Sequence, residues 1–129
     1  MKMVALVVDD SRVQRRIIGG YLKELNFDVL EADHGQSAME VLNKNSKIDV
    51  IFLDWQMPVM SGIEFLHAMR NDPRFKAIKV CMVTAESDQS CIIKALEEGA
   101  DEYVMKPFCR ETLEQKLELV TRQNDSAAN

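Results

Sequence analysis

Four short strand-like runs in this chain each end in side chains that can do polar chemistry. Met3-Val4-Ala5-Leu6-Val7-Val8 runs into Asp9-Asp10, and Val50-Ile51-Phe52-Leu53 into Asp54. Val80-Cys81-Met82-Val83 closes on Thr84, and Glu102-Tyr103-Val104-Met105 on Lys106-Pro107. Carboxylates gathered in one place repel one another. At ~4 Å each pair costs on the order of 1 kcal/mol in water, and several where partly buried. A hard divalent cation removes that repulsion, and oxygen-only donors without His or Cys favour Mg²⁺ over zinc. Add the Lys106 ammonium and the Thr84 hydroxyl, and the set suits a group with a tetrahedron of anionic oxygens. Asp54, the central carboxylate, is the candidate nucleophile for a phosphoryl group. Singly, each of these residues is an ordinary turn or capping residue; the combination carries the inference.

Such a set works only if the runs are strands that end on one edge. The first three runs are short, apolar and bounded by turn formers, the pattern of a strand buried on both faces, and Glu102 to Met105 reads as a strand as well. Asp28-Val29-Leu30-Glu31-Ala32 is a further strand, placed near a sheet edge because it mixes in charge. Between the strands lie helical patterns. Val13, Ile17, Tyr21 and Leu25 recur at helical spacing from Ser11 to Asn26, with Ile18 and Leu22 widening the stripe. Gln36 to Asn45 turns Ala38, Met39 and Leu42 inward, after the turn Asp33-His34-Gly35. Ser61-Gly62-Ile63-Glu64 is a capping box opening a helix with Ile63, Leu66 and Met69 inward, ended by Asn71-Asp72-Pro73. Ser87 or Asp88 caps a helix with Ile92, Ala95 and Leu96 inward, closed by Gly99. Leu113, Leu117 and Val120 mark a last amphipathic helix. Strand and helix thus alternate through the chain, which predicts an α/β fold: a parallel sheet with right-handed crossovers and helices on both faces. In such sheets ligands bind at the carboxyl ends of the strands. Gly19-Gly20 inside the first helix costs about 1 kcal/mol per Gly relative to Ala, which close packing against another helix would explain.

Composition bounds the alternatives. The chain has 129 residues, enough for one domain with a proper core, and 47% are hydrophobic against 29% charged. A net charge of -5 argues against a broad basic surface for nucleic acid. No apolar run approaches the ~20 residues needed to span a bilayer. Met1-Lys2 leads into a strand without a signal-peptide pattern, and Cys81, Cys91 and Cys109 form no disulfide or zinc pattern. The expectation is a cytoplasmic monomer, binding neither nucleic acid nor membrane.

Asp9-Asp10, Asp54 in Leu53-Asp54-Trp55-Gln56-Met57-Pro58, Thr84-Ala85 and Lys106-Pro107-Phe108 closely resemble the receiver domains of bacterial two-component response regulators. The resemblance runs from Met3 to about Val120 and is nearest to the single-domain chemotaxis members. It implies a flavodoxin-like doubly wound sheet of five strands in the order 2-1-3-4-5 with five helices. The domain would span residues 1–123, with 124–129 a disordered polar tail. It implies a phosphorylation-activated switch in which Asp54 takes a phosphoryl group from a histidine kinase's phosphohistidine. Asp10 and Asp54 would ligate Mg²⁺, with Asp9 close by and the Gln56 backbone carbonyl completing the protein ligands. Lys106 would pair with phosphoryl oxygens, and Lys106-Pro107 would be cis. Thr84 would hydrogen-bond the phosphate and Tyr103 would follow it inward, reshaping a face made by the fourth helix, fifth strand and fifth helix. An effector would bind that face, a flagellar motor switch component in the chemotaxis case. With no output domain after Asn129, the chain is expected to work as a lone receiver rather than as a metabolic enzyme, with slow self-dephosphorylation.

Some positions depart from the family pattern. Ser61-Gly62 stands where Asp-Gly is usual, and Cys109 stands where a better helix cap is common. Gln56 and Glu86 lie beside the site, where family members vary. Arg12, Arg15 and Arg16 read first as a solvated face, with docking of a kinase's phosphotransfer domain as the alternative. His34 and His67 read as surface residues, Ile93 as a scattered apolar residue with a partner contact as the alternative, and Trp55 as a fluorescence reporter beside Asp54. Two other functions compete. A phosphorelay intermediate would pass the group on to a histidine phosphotransferase. A Mg²⁺-dependent aspartyl-phosphate phosphohydrolase would need an extra acid, and Gln56 stands where its second carboxylate would be. A flavin is disfavoured, because the acidic strand ends would repel its phosphate tail.

Overall fold

The structure is a computed structural model that describes residues 2–45, 47–55, 60–85 and 89–128. Its strands are β1 (Val4–Val8), β2 (Asp28–Ala32), β3 (Val50–Asp54), β4 (Lys79–Thr84) and β5 (Glu102–Met105). They pair in parallel in the order β2-β1-β3-β4-β5, so the expected order 2-1-3-4-5 holds and β2 is an edge strand. The helices are α1 (Arg12–Glu24), α2 (Gly35–Lys44), α3 (Gly62–Arg70), α4 (Gln89–Glu97) and α5 (Arg110–Ala128), with a 3-10 turn at Pro73–Phe75.

Strand alternation divides the core in two. Leu6, Val8, Ile51, Leu53, Val80 and Met82 pack with α2, α3 and α4 through Ala38, Leu42, Phe65, Leu66, Met69 and Ala95. Ala5, Val7, Val50, Phe52, Cys81, Val83 and Val104 pack with α1 and α5 through Ile18, Leu22, Leu113 and Leu117. Both faces of the central strands are therefore apolar, which is why they read as unbroken hydrophobic runs. Burial pushes the Cys81 thiol well above the ordinary thiol range, so it is an inert core residue.

The helix faces differ from the sequence pattern in places. Val13 is 65% exposed and Ile17 41%, and the buried row of α1 is Ile18, Gly19 and Leu22. A Cβ on Gly19 would meet Val29 Cγ1 at 3.4 Å, so Gly19 brings α1 close to β2 rather than to another helix, while Gly20 faces open space. That close approach rolls the Val13–Ile17 row outward. On α4, Leu96 is exposed rather than inward, because the helix meets the core mainly through Ala95. Phe65, not singled out by periodicity, is fully buried on α3. His34 is more than a surface residue: its Nδ1 accepts from the Ser37 amide at 3.1 Å and caps α2. The last helix spans Arg110–Ala128. No glycine or proline follows Val120, and Ala127-Ala128 favour helix.

The amino edge of the sheet is tied down by ion pairs and caps. Arg70, at the end of α3, donates from Nε to the Gly99 carbonyl at 3.0 Å and from Nη1 to the Ile78 carbonyl at 2.8 Å. Its Nη2 meets Asp101 Oδ2 at 3.0 Å, and the same oxygen accepts the Val80 amide at 2.9 Å. Gly99 has φ +115°, and a Cβ there would press on the Arg70 side chain at 2.9 Å. Gly99 is thus both the left-handed end of α4 and the floor on which the guanidinium lies.

Candidate phosphoacceptor and metal site

Because the strands are parallel, Asp9, Asp54, Thr84 and Lys106 all lie at the carboxyl edge. Asp54 is the last residue of β3 and pairs with Val83 of β4; Thr84 is the last of β4 and pairs with Met105 of β5. Asp9 extends β1 by one residue, its amide donating to the Ala32 carbonyl at 3.1 Å. The connection after β5 returns to the sheet as the Lys106 amide donates to the Thr84 carbonyl at 2.8 Å, and the Lys106–Pro107 bond is cis.

The side chains then converge. Oxygens of Asp9, Asp10 and Asp54 all lie within 4.8 Å of one another. Asp9 is 1% exposed and Asp54 7%, whereas Asp10 is open to solvent. Lys106 Nζ stands 3.1 Å from Asp9 Oδ2 and 3.6 Å from Asp54 Oδ1, so one ammonium faces two buried carboxylates. Asp9 Oδ1 accepts the Ser11 amide at 2.9 Å, and the Ser11 hydroxyl in turn caps α1 by accepting from the Gln14 amide at 3.2 Å. One cation among three acids leaves the cluster net anionic. An all-oxygen donor set of this kind fits a hard divalent cation such as Mg²⁺.

The start of α3 is capped and packed against the end of β3. The Ser61 hydroxyl accepts from the Glu64 amide at 3.2 Å, and Glu64 Oε1 accepts from the Ser61 amide at 3.2 Å, completing the capping box expected from sequence. A Cβ on Gly62 would collide with the Asp54 carbonyl oxygen, so only glycine lets the start of α3 close over the end of β3. The Gly62 amide also donates to the Trp55 carbonyl at 3.2 Å, and Trp55 is half-buried beside the acids. Gln56, Glu86, Ser87 and Asp88 lie outside the described residues.

Thr84 is buried at its strand end, and Tyr103 is half-buried in β5 with Lys116 Nζ 4.5 Å from its ring centroid. Lys116 also bonds Glu102 at 3.2 Å, which fixes that cation beside the ring. The three arginines of α1 sit in different surroundings. Arg12 and Arg16 are exposed, but the Arg15 side chain is 16% exposed and engaged. Its Nε meets Glu31 Oε1 at 3.0 Å and its Nη1 donates to the Asp9 carbonyl at 2.7 Å. Sequence spacing could not reveal this, since Glu31 lies on β2, sixteen residues on.

Comparison with known proteins agrees with the geometry. Residues 5–118 match the response regulator receiver domain family. Chemotaxis protein CheY1 of Helicobacter pylori is 44% identical over 124 residues, covering 95% of this chain and 100% of that protein. Chemotaxis protein CheY of Pseudomonas aeruginosa is 42% identical over 119 residues, covering 92% and 95% respectively. Among solved structures, chemotaxis protein CheY4 of Vibrio cholerae matches with a TM-score of 0.88 at 32% identity, over 93% of this chain and 99% of that one.

Proposed function

This chain belongs to the response regulator receiver domain family, and on that premise we propose that it is a chemotaxis-type signalling switch thrown by phosphorylation of Asp54. The observation that carries the reading is the placement of a nearly buried carboxylate, Asp54, between two further acids and the Lys106 ammonium. An Asp54 carboxylate oxygen attacks phosphorus in a histidine kinase's phosphohistidine. The P–N bond breaks, its electron pair returns to the imidazole, and an aspartyl phosphate remains. Asp9, Asp10 and Asp54, with the Gln56 carbonyl, would hold Mg²⁺, which when bound neutralises charge on the transferring group. Lys106 pairs with a phosphoryl oxygen and exchanges one anionic partner for another. The Thr84 hydroxyl donates to the new phosphate, and Tyr103 follows it inward.

The output is a protein–protein contact rather than metabolic turnover, with slow self-hydrolysis resetting the switch. Ile93 and Leu96 on α4 and Met105 on β5 are exposed, an apolar supply for an effector on the α4–β5–α5 face. By kinship with the chemotaxis relatives, that effector is a flagellar motor switch component. Incubation with acetyl phosphate and Mg²⁺, read by intact-mass spectrometry, is expected to give one base-labile adduct of phosphate mass that maps to Asp54. Absence of the adduct, or its persistence in Asp54→Asn, would overturn the reading.

A further inference from the structure

Arg15 brings a positive charge toward a site that is to bind a cation, so a purely electrostatic view gives it an adverse role. Its geometry says otherwise. The guanidinium is held from outside by Glu31 at 3.0 Å and spends its Nη1 proton on the Asp9 carbonyl at 2.7 Å. That carbonyl belongs to the peptide joining Asp9 to Asp10. Fixing its plane fixes ψ of Asp9 and φ of Asp10 together, and so the direction in which the Asp10 side chain leaves the backbone. Asp9 itself is anchored elsewhere: its amide to Ala32, Oδ1 to the Ser11 amide, Oδ2 to Lys106. Asp10 is the exposed member of the acid cluster. Among the described contacts, the orientation of its backbone rests on the neighbouring peptide that Arg15 grips.

We infer that Arg15, clamped by Glu31, is a positioning residue for the acid cluster: it locks the Asp9–Asp10 peptide so that the Asp10 carboxylate faces Asp9 and Asp54 in readiness for a divalent cation. The inference rests on the Mg²⁺ reading of the site. Glu31 makes the clamp close to neutral, so the orienting bond comes without a strong repulsion of the metal. Backing groups of this kind typically contribute ten-fold or more to metal affinity.

Mg²⁺ titration followed by Trp55 fluorescence tests it, with melting curves in EDTA to establish that each variant is folded. Arg15→Gln is expected to weaken Mg²⁺ binding by about ten-fold. Charge alone predicts the opposite, since removing a cation beside three acids would tighten binding. Glu31→Gln added to Arg15→Gln is expected to change affinity by less than about two-fold, because Glu31 acts through the guanidinium. Arg15→Lys keeps the charge without the fork and should show a partial loss, which keeps the test decisive if the glutamine variant is poorly folded. Unchanged or tighter binding in Arg15→Gln, or in Arg15→Lys where only that variant folds, overturns the inference while leaving the metal site standing. A wild-type chain that shows no Mg²⁺ response overturns the metal reading as well.

Discussion

Replacing Asp54 by Asn should make the metal-free protein more stable, although it removes the residue on which function turns. Asp54 sits within 4.8 Å of carboxylate oxygens on Asp9 and Asp10, and its Oδ1 lies 3.6 Å from Lys106 Nζ. At an effective dielectric near 20, repulsion from buried Asp9 is about 3.5 kcal/mol at that separation, and that from solvated Asp10 about 1 kcal/mol. Attraction to Lys106 on the same scale is about 4.6 kcal/mol. The Coulomb contributions nearly cancel, so the sign is decided by desolvation, which costs a buried carboxylate several kcal/mol before its hydrogen bonds are counted. Asn keeps the shape and most of the hydrogen-bonding capacity without that cost, and Lys106 retains Asp9 at 3.1 Å. A net gain of about 1–3 kcal/mol is expected, or roughly 3 to 10 °C in Tm for a domain of this size. Melting curves by circular dichroism in EDTA and in Mg²⁺ measure it. Mg²⁺ should then narrow or reverse the gap, because ligand at a hundred times its Kd adds about 2.7 kcal/mol to the wild type, while the variant has lost a ligand carboxylate. A variant that melts at or below wild type in EDTA, or equal Mg²⁺ shifts for both proteins, would refute the reasoning.

Other substitutions probe the scaffold. Arg70→Ala removes donors to the Gly99 and Ile78 carbonyls and to Asp101; at about 1–1.5 kcal/mol for each bond it should cost about 3–4 kcal/mol in chemical denaturation, with Lys only a partial rescue and Mg²⁺ affinity unmoved. Gly62→Ala sets a helix-propensity gain of about 1 kcal/mol against a collision with the Asp54 carbonyl; since the obstacle is backbone, a net loss of about 1–3 kcal/mol and a changed Trp55 emission are expected. Thiol titration of the folded protein at pH 8 should find Cys91 and Cys109 but not Cys81, whose thiol burial keeps protonated, until denaturant is added.

The strands and their polar ends were legible because a strand buried on both faces leaves an unmistakable record: Val50 to Leu53 is apolar without interruption, then acid. In a parallel sheet that record also states which edge the acid occupies. Helix faces were less legible. On α1 the rows Val13–Ile17–Tyr21 and Ile18–Leu22 lie about 100° apart, and periodicity could not say which faces the sheet. The deciding fact is the contact between Gly19 and Val29, which is tertiary. The pairing of Lys106 with Asp9 spans 97 positions, and that of Arg70 with Asp101 spans 31. Neither leaves a local signal in the chain. The family resemblance supplied the first pairing as a cluster, but nothing in the sequence singled out Arg70 from the other basic residues, or Arg15 from Arg12 and Arg16.

The two edges of the sheet put the same side chain to opposite uses. At the amino edge, Asp49 Oδ2 accepts the Val4 amide at 2.8 Å and Asp101 Oδ2 accepts the Val80 amide at 2.9 Å, each carboxylate covering a strand's first free donor. Arg70 and Lys79 then neutralise Asp101. At the carboxyl edge strands present carbonyls rather than amides, and there Asp9, Asp10 and Asp54 bring carboxylate oxygens within 4.8 Å of one another. Close acids at that edge repel one another, whereas Arg70 and its partners tie down the opposite edge. The acid cluster is therefore a place on this fold that an incoming cation can complete. On this view Arg70→Ala and Asp54→Asn, at opposite edges and without shared partners among the described contacts, should be additive in stability to within about 0.5 kcal/mol. Coupling between them larger than that would mean that the edges are not independent and that the acid cluster is strained by the frame rather than merely carried on it.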